Sequence, residues 1–104
     1  VTAIIGMTDI AAIAAIHAVH DCGLVVPQDV SVIGFDDLPE AAYVIPSLTT
    51  VSQPIREIGE HAALVIEAAI GQRRQRGEDE GEVVTRLPVR LVERQSTGPA
   101  RKSS

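Results

Sequence analysis

The sequence predicts an α/β fold in which parallel strands are flanked by helices. Two observations carry that expectation. A short apolar run, an Ala-rich helical stretch and a β-branched run succeed one another between residues 2 and 35, the order of a βαβ unit. A later segment then repeats apolar residues at the helical period of about 3.6. Size sets the bound: 104 residues make at most one small domain with a modest core. The composition is globular, 45% apolar and 22% charged, within the ordinary range for a packed chain.

Each element has a local reason. "TAIIG", residues 2–6, is a short apolar run closed by glycine and reads as a buried strand. Thr8 or Asp9 can cap the next element, because either side chain accepts from the free N–H groups of a helix start. "DIAAIAAIHAVHDCG" has the propensity of a helix ending at Gly23, with Ile10, Ile13, Ile16 and Val19 spread over much of its circumference. Pro27 blocks continuation, and a second strand runs from Val30 to Phe35. The passage "LPEAAYVIPSL" has no clean period. "LTTV", residues 48–51, reads as a third strand. Pro54 suits the first position of a second helix, with Ser52 or Gln53 as its cap. Ile55, Ile58, Ala62, Val65, Ile66, Ala69 and Ile70 form its apolar face, Arg56, Glu57, Glu60, His61 and Glu67 the other, and Gly71 its expected end. The run 72–82 reads as a mobile acidic loop. "VVTRLPVRLVER" alternates, with Val83, Leu87, Val89 and Leu91 on one side and Arg86, Arg90 and Arg94 on the other. Pro88 denies one ladder donor, so this is an edge strand or two short ones. "STGPARKSS" reads as a disordered tail.

Charge and composition exclude several functions. A net charge of −5 argues against this segment gripping a phosphate backbone. The basic cluster Arg73, Arg74 and Arg76 is succeeded by Glu78, Asp79, Glu80 and Glu82, whose field cancels it. One cysteine, Cys22, cannot form an internal disulfide and suits a reducing compartment. No apolar run spans a membrane and no signal peptide opens the chain. Val1 begins inside a strand-like run, so the sequence is expected to be a piece of a longer protein. His17 and His20 have helical metal-binding spacing but no third ligand nearby, since His61 lies on another helix, so neither a metal nor a cofactor is expected. Cys22 sits at a helix end, not an electropositive helix start. No nucleophile elbow or phosphate-binding glycine loop is present.

One stretch stands out. "DVSVIGFDDLPE", residues 29–40, ends an apolar strand on two adjacent carboxylates, Asp36 and Asp37. In open parallel sheets ligands bind beyond the carboxyl ends of the strands, and Thr8 and Asp9 occupy the corresponding place after the first strand. Carboxylates there accept from ligand hydroxyl or amine groups and repel phosphates and acids. The plainer alternative is a turn cap beside a solvated acid. With two aromatic residues, Phe35 and Tyr43, the segment cannot make a full pocket for a sugar or base; another wall must be supplied.

Taken together, "GLVVPQDVSVIGFDD", "PSLTTVSQPIREIGEHAALVI" and "LPVRLVERQST" closely resemble the C-terminal part of the lactose-repressor and galactose-repressor family of bacterial regulators. The likeness covers residues 2 to about 97, with several motifs in order. It implies a periplasmic-binding-protein-like (type I) core, of which this chain is an incomplete fragment. Residues 1–52 would belong to the C-terminal effector-binding subdomain, 53–94 to the other subdomain, and 95–104 to a return segment and tail. It implies that Asp36 contacts a sugar hydroxyl or ribose, and that Thr8, Asp9 and Gln53 face effector. Thr8 departs from the family's frequent Asn, and a hydroxyl offers fewer directed bonds than an amide. Ile13, Tyr43 and Val44 match dimer-interface positions.

The implied function is the ligand-sensing and dimerisation region of a cytoplasmic regulator, a repressor, not an enzyme. Its partners would be a small sugar-like or nucleoside-like effector, a second copy, and operator DNA through a headpiece absent from this chain, with no membrane. The alternative is a periplasmic sugar-binding protein of a transport system, which shares the core. An α/β enzyme using Asp36 or Asp37 as base would need a nucleophile or metal that the sequence does not offer.

Overall fold

The computed structural model describes residues 1–76 and 84–102, with backbone alone for 73–76. The chain divides into two compact units, Val1–Gln53 with Val89–Ser104, and Pro54–Pro88.

In the first unit, β1 (Ala3–Ile5) pairs in parallel with β2 (Ser31–Ile33), Ile4 opposite Val32. Helix α1 (Asp9–Asp21) crosses between them, as a βαβ unit requires. Single parallel bridges, Ile33 to Thr49 and Asp36 to Ser52, tie β2 to β3 (Thr50–Ser52). β4 (Arg90–Val92) then pairs antiparallel with β3, Val51 opposite Leu91. The second expected strand continues in its hydrogen bonds past its regular part: Gly34 N donates to Thr49 O at 2.9 Å and Asp36 N to Val51 O at 3.0 Å.

Thr8 caps α1, its Oγ1 accepting from Ala11 N at 3.1 Å. At the other end Gly23 adopts φ 78°. Gly23 N donates to His20 O and Leu24 N to Val19 O, a Schellman closure in which glycine takes the left-handed position without a Cβ clash. Ala12, Ile16 and Val19 turn inward to meet Val30, Val32, Ala41 and Leu48. Each large apolar side chain buried here is worth about 1.5–3 kcal/mol. Ala41 lies in a 3-10 turn, Pro39–Ala42, that accepts from Leu48 N at 2.8 Å, so the stretch without a period still contributes to the core. Gly34 is required by close approach: a Cβ there would run into the Asp9 carboxylate and lie 2.9 Å from Leu48 Cδ2.

The second unit is built on α2 (Ile55–Arg76). Pro54 accepts from Ile58 N at 2.8 Å and so stands just outside the helix, one place before its expected position. α2 does not stop at Gly71. A mid-helix glycine costs about 1 kcal/mol relative to alanine, too little to stop a helix on its own, and Gly71 lacks the positive φ with which Gly23, alone among the described glycines, closes α1. Residues 72–76, expected in a loop, therefore continue the helix. No described side chain of α2 is buried. The acidic run Glu78, Asp79, Glu80 and Glu82, with Val83, lies outside the described residues.

Two expectations for the C-terminal stretch are corrected. The alternation reverses at its end: Leu91 and Val89 are exposed, whereas Arg94 turns inward. Nor are residues 96–102 a free tail. Ser96 is fully buried, its Oγ accepting from Thr49 N at 2.8 Å and donating to Val32 O, while Val32 N donates to Ser96 O. Ser31 Oγ exchanges bonds with Gly98, and Arg101 donates to Asp29 O at 2.8 Å. A Ser/Thr/Gly composition resembles a linker, yet its short polar groups satisfy strand edges that would otherwise be left unpaired.

Candidate functional site at the carboxyl ends of the parallel strands

The carboxyl ends of β1, β2 and β3 bring together Asp9, Asp36, Asp37 and Gln53, with Thr50 at the start of β3 bonded to Asp9 and Asp37. The two like charges that end the second strand are separated by their partners. Asp36 Oδ1 accepts from Gln53 Nε2 at 2.8 Å. Asp37 Oδ1 accepts from Arg94 Nη2 at 2.9 Å, with both side chains about four-fifths covered (20% and 21% exposed). The chain makes this divergence through backbone turning: Asp36 has φ 125° and Asp37 φ 58°. Aspartate tolerates the left-handed region better than most residues, but two in succession persist only where surroundings hold them. The holders are Asp36 N to Val51 O, Asp37 N to Thr50 Oγ1 at 3.3 Å, and the Arg94 pair.

Asp9 does not face an opening. It is fully buried, accepting from Leu38 N at 2.6 Å and from the Thr50 hydroxyl. A buried carboxylate survives when such donors replace water, and here they brace the segment after Asp37 against the start of α1. Its expected contact with a ligand is therefore withdrawn. Thr8 is exposed. Its oxygen is engaged in the helix cap, and its hydroxyl proton stays available to an outside acceptor. Gln53 and Asp36 are half-buried, so both border solvent. A carboxylate offers about four acceptor sites, of which Gln53 occupies one. The pair thus presents acceptor capacity beside an amide, an arrangement chemically able to pair with neighbouring hydroxyls.

Of the other candidates, Ile13 and Val44 are half-buried and pack against the core, while Tyr43 is 83% exposed. His17, His20 and Cys22 are exposed on α1 and its cap. Among the described residues no group of three or more His, Cys, Asp or Glu could hold a metal ion, and no helix is long and apolar enough to cross a membrane.

Sequence reasoning missed Arg94, Thr49, Thr50 and Ser96. Thr49 and Thr50 read as strand formers, yet both are buried and their hydroxyls work: Thr49 Oγ1 accepts from Arg94 N at 2.9 Å and meets Thr97 Oγ1. Arg94 reads as one of an exposed row. The one available signal is the fixed order "LTT" before and "RQST" after the second helix, which no local rule connects.

Residues 2–97 match the model of the periplasmic binding protein-like domain. The HTH-type transcriptional repressor PurR of Aliivibrio fischeri is 42% identical over 91 residues, 85% of this chain and 27% of that protein. A LacI family transcriptional regulator from Enterococcus faecium, solved with bound ribose, superposes with TM-score 0.75 at 35% identity, over 96% of this chain and 35% of that one. The lac repressor dimer bound to operator and the anti-inducer ONPF gives TM-score 0.72 at 31% identity, over 92% of this chain and 28% of that one. The chain thus spans roughly a third or less of the proteins it matches.

Proposed function

The chain belongs to the periplasmic binding protein-like domain family, in the form found in the effector-binding core of lactose-repressor and galactose-repressor regulators, and from that premise we propose that it is the ligand-sensing and dimerisation region of a bacterial DNA-binding transcriptional regulator. The effector is a neutral, polyhydroxylated molecule of the sugar or nucleoside class. Asp36 recognises it and performs no chemistry on it.

The observation that carries this reading is the Asp36–Gln53 pair, half-buried at the carboxyl ends of β2 and β3. An acceptor beside an amide matches two adjacent hydroxyls, and a lone carboxylate disfavours phosphates and acids. The ribose found in the Enterococcus relative is a ligand of that kind. Thr8, with a hydroxyl proton to offer, contributes one further bond. The rest of the pocket, like the DNA-binding headpiece, comes from outside this chain. Ile13, Tyr43 and Val44 lie in the contact with a second copy, as the dimeric form of the lac repressor suggests. The protein works in the cytoplasm, where effector shifts the balance of two arrangements by its unequal affinity for them.

Asp36→Ala in the full-length protein is expected to weaken effector binding by about 1.5–3 kcal/mol, the scale of a hydrogen bond to a charged group. Titration calorimetry against a panel of free sugars and nucleosides measures it. Unchanged affinity would remove Asp36 from the site, and turnover of any bound compound would remove the non-enzymatic reading.

A further inference from the structure

The turn that aims Asp36 is fixed by a residue well away from it in sequence. Arg94 makes three bonds from just beyond β4: its backbone N to Thr49 Oγ1, Nη1 to Leu48 O and Nη2 to Asp37 Oδ1, each at 2.9 Å. The first two seat the guanidinium against the strand leading into β3. The third pulls Asp37 toward that strand, and Asp37 N completes the closure on Thr50 Oγ1. Asp36 is the next residue back and shares the positive-φ turn. With Asp37 drawn to Arg94, Asp36 is left to meet Gln53. Without a cation there, two adjacent carboxylates would repel each other and favour a relaxed backbone. Arg suits the place because its planar fork serves a carbonyl and a carboxylate at once, which an ammonium does poorly.

We propose that Arg94 is a positioning residue for the effector site, acting through Asp37 to hold the backbone turn that directs the Asp36 carboxylate. The proposal rests on the reading of Asp36 as a recognition group, and its test is built to separate the two. In the full-length protein, R94Q and D37N are compared with wild type by crystallography and by calorimetric titration with ribose, glucose and adenosine. Both variants are expected to release Asp36 from its positive φ and from Gln53. Both should weaken the probe that the wild type binds by about tenfold, the effect of one misdirected charge-assisted bond. The double variant should be no weaker than either single one, since the two residues act in one chain of contacts, and R94K should recover part of the loss. An R94Q structure that keeps Asp36 at positive φ and hydrogen-bonded to Gln53 overturns the proposal, even if its melting temperature falls. If R94Q fails to fold, D37N, which leaves the Arg94 bond to Leu48 O in place, decides the same question. Wild-type protein that binds none of the three probes speaks against the effector reading, while the crystallographic comparison still decides Arg94.

Discussion

The two helices make an instructive pair. α1 has 13 residues, is rich in alanine, and buries Ala12, Ile16 and Val19 with the acid Asp9. α2 has 22 residues and much the cleaner apolar stripe, yet Ile66 is 59% exposed and no described side chain along it is buried. Pattern therefore tells which face of a helix is fit for burial. Burial itself needs a surface to meet, and α1 has β2, the 3-10 turn and Leu48 against it. The close approach of α1 depends on Gly6, just before it: a Cβ there would fall 2.7 Å from Ala12 N and 3.0 Å from Ala12 Cβ.

That contrast can be broken most directly by equal truncations. Ile16→Ala should cost about 3 kcal/mol, the usual scale of a large-to-small change in a packed core. Ile66→Ala in the same chain should stay within about 0.5 kcal/mol, as exposed substitutions do. Denaturant titration of both variants checks the difference, and equal losses would mean that α2 is packed in solution. Next in size is Asp9→Ala. It strands the Leu38 N–H and the Thr50 hydroxyl, and about 2 kcal/mol should be lost to two unsatisfied groups that partly find water. Thr8→Ala removes only the α1 cap and should cost about 1 kcal/mol, measured the same way. The smallest effect has the opposite sign. Gly71 lies inside α2 with nothing within 4 Å of an added Cβ, so Gly71→Ala should raise helix content and stabilise by about 0.5–1 kcal/mol. Circular dichroism on thermal melting reads it.

Much of the site is legible where chemistry depends on neighbours in sequence. Thr8 as cap, Gly23 as terminator, the parallel pairing of the two apolar runs and the placing of Asp36 at a strand end all rest on local spacing. Asp9 escapes such reading because a carboxylate beside a helix start looks the same whether it meets water or a buried hydroxyl. Asp37 and Arg94 stand far apart in the chain, and no periodicity announces that one neutralises the other. The stretch 96–102 has the look of a tail because composition reports what a segment lacks, not which unpaired strand edges await it.

The sequence by itself determined the kind of element at each place, since propensity, capping and hydrophobic period act over a few residues. It also carried the family likeness, as a string of such local motifs in a fixed order. Tertiary structure alone decided which polar groups were consumed as braces and which remained open to solvent. Asp9, Thr50, Asp37 and Arg94 were spent inside, and Asp36 and Gln53 were left at the border. The reason is that desolvation depends on contacts between residues distant along the chain, and no local pattern records them.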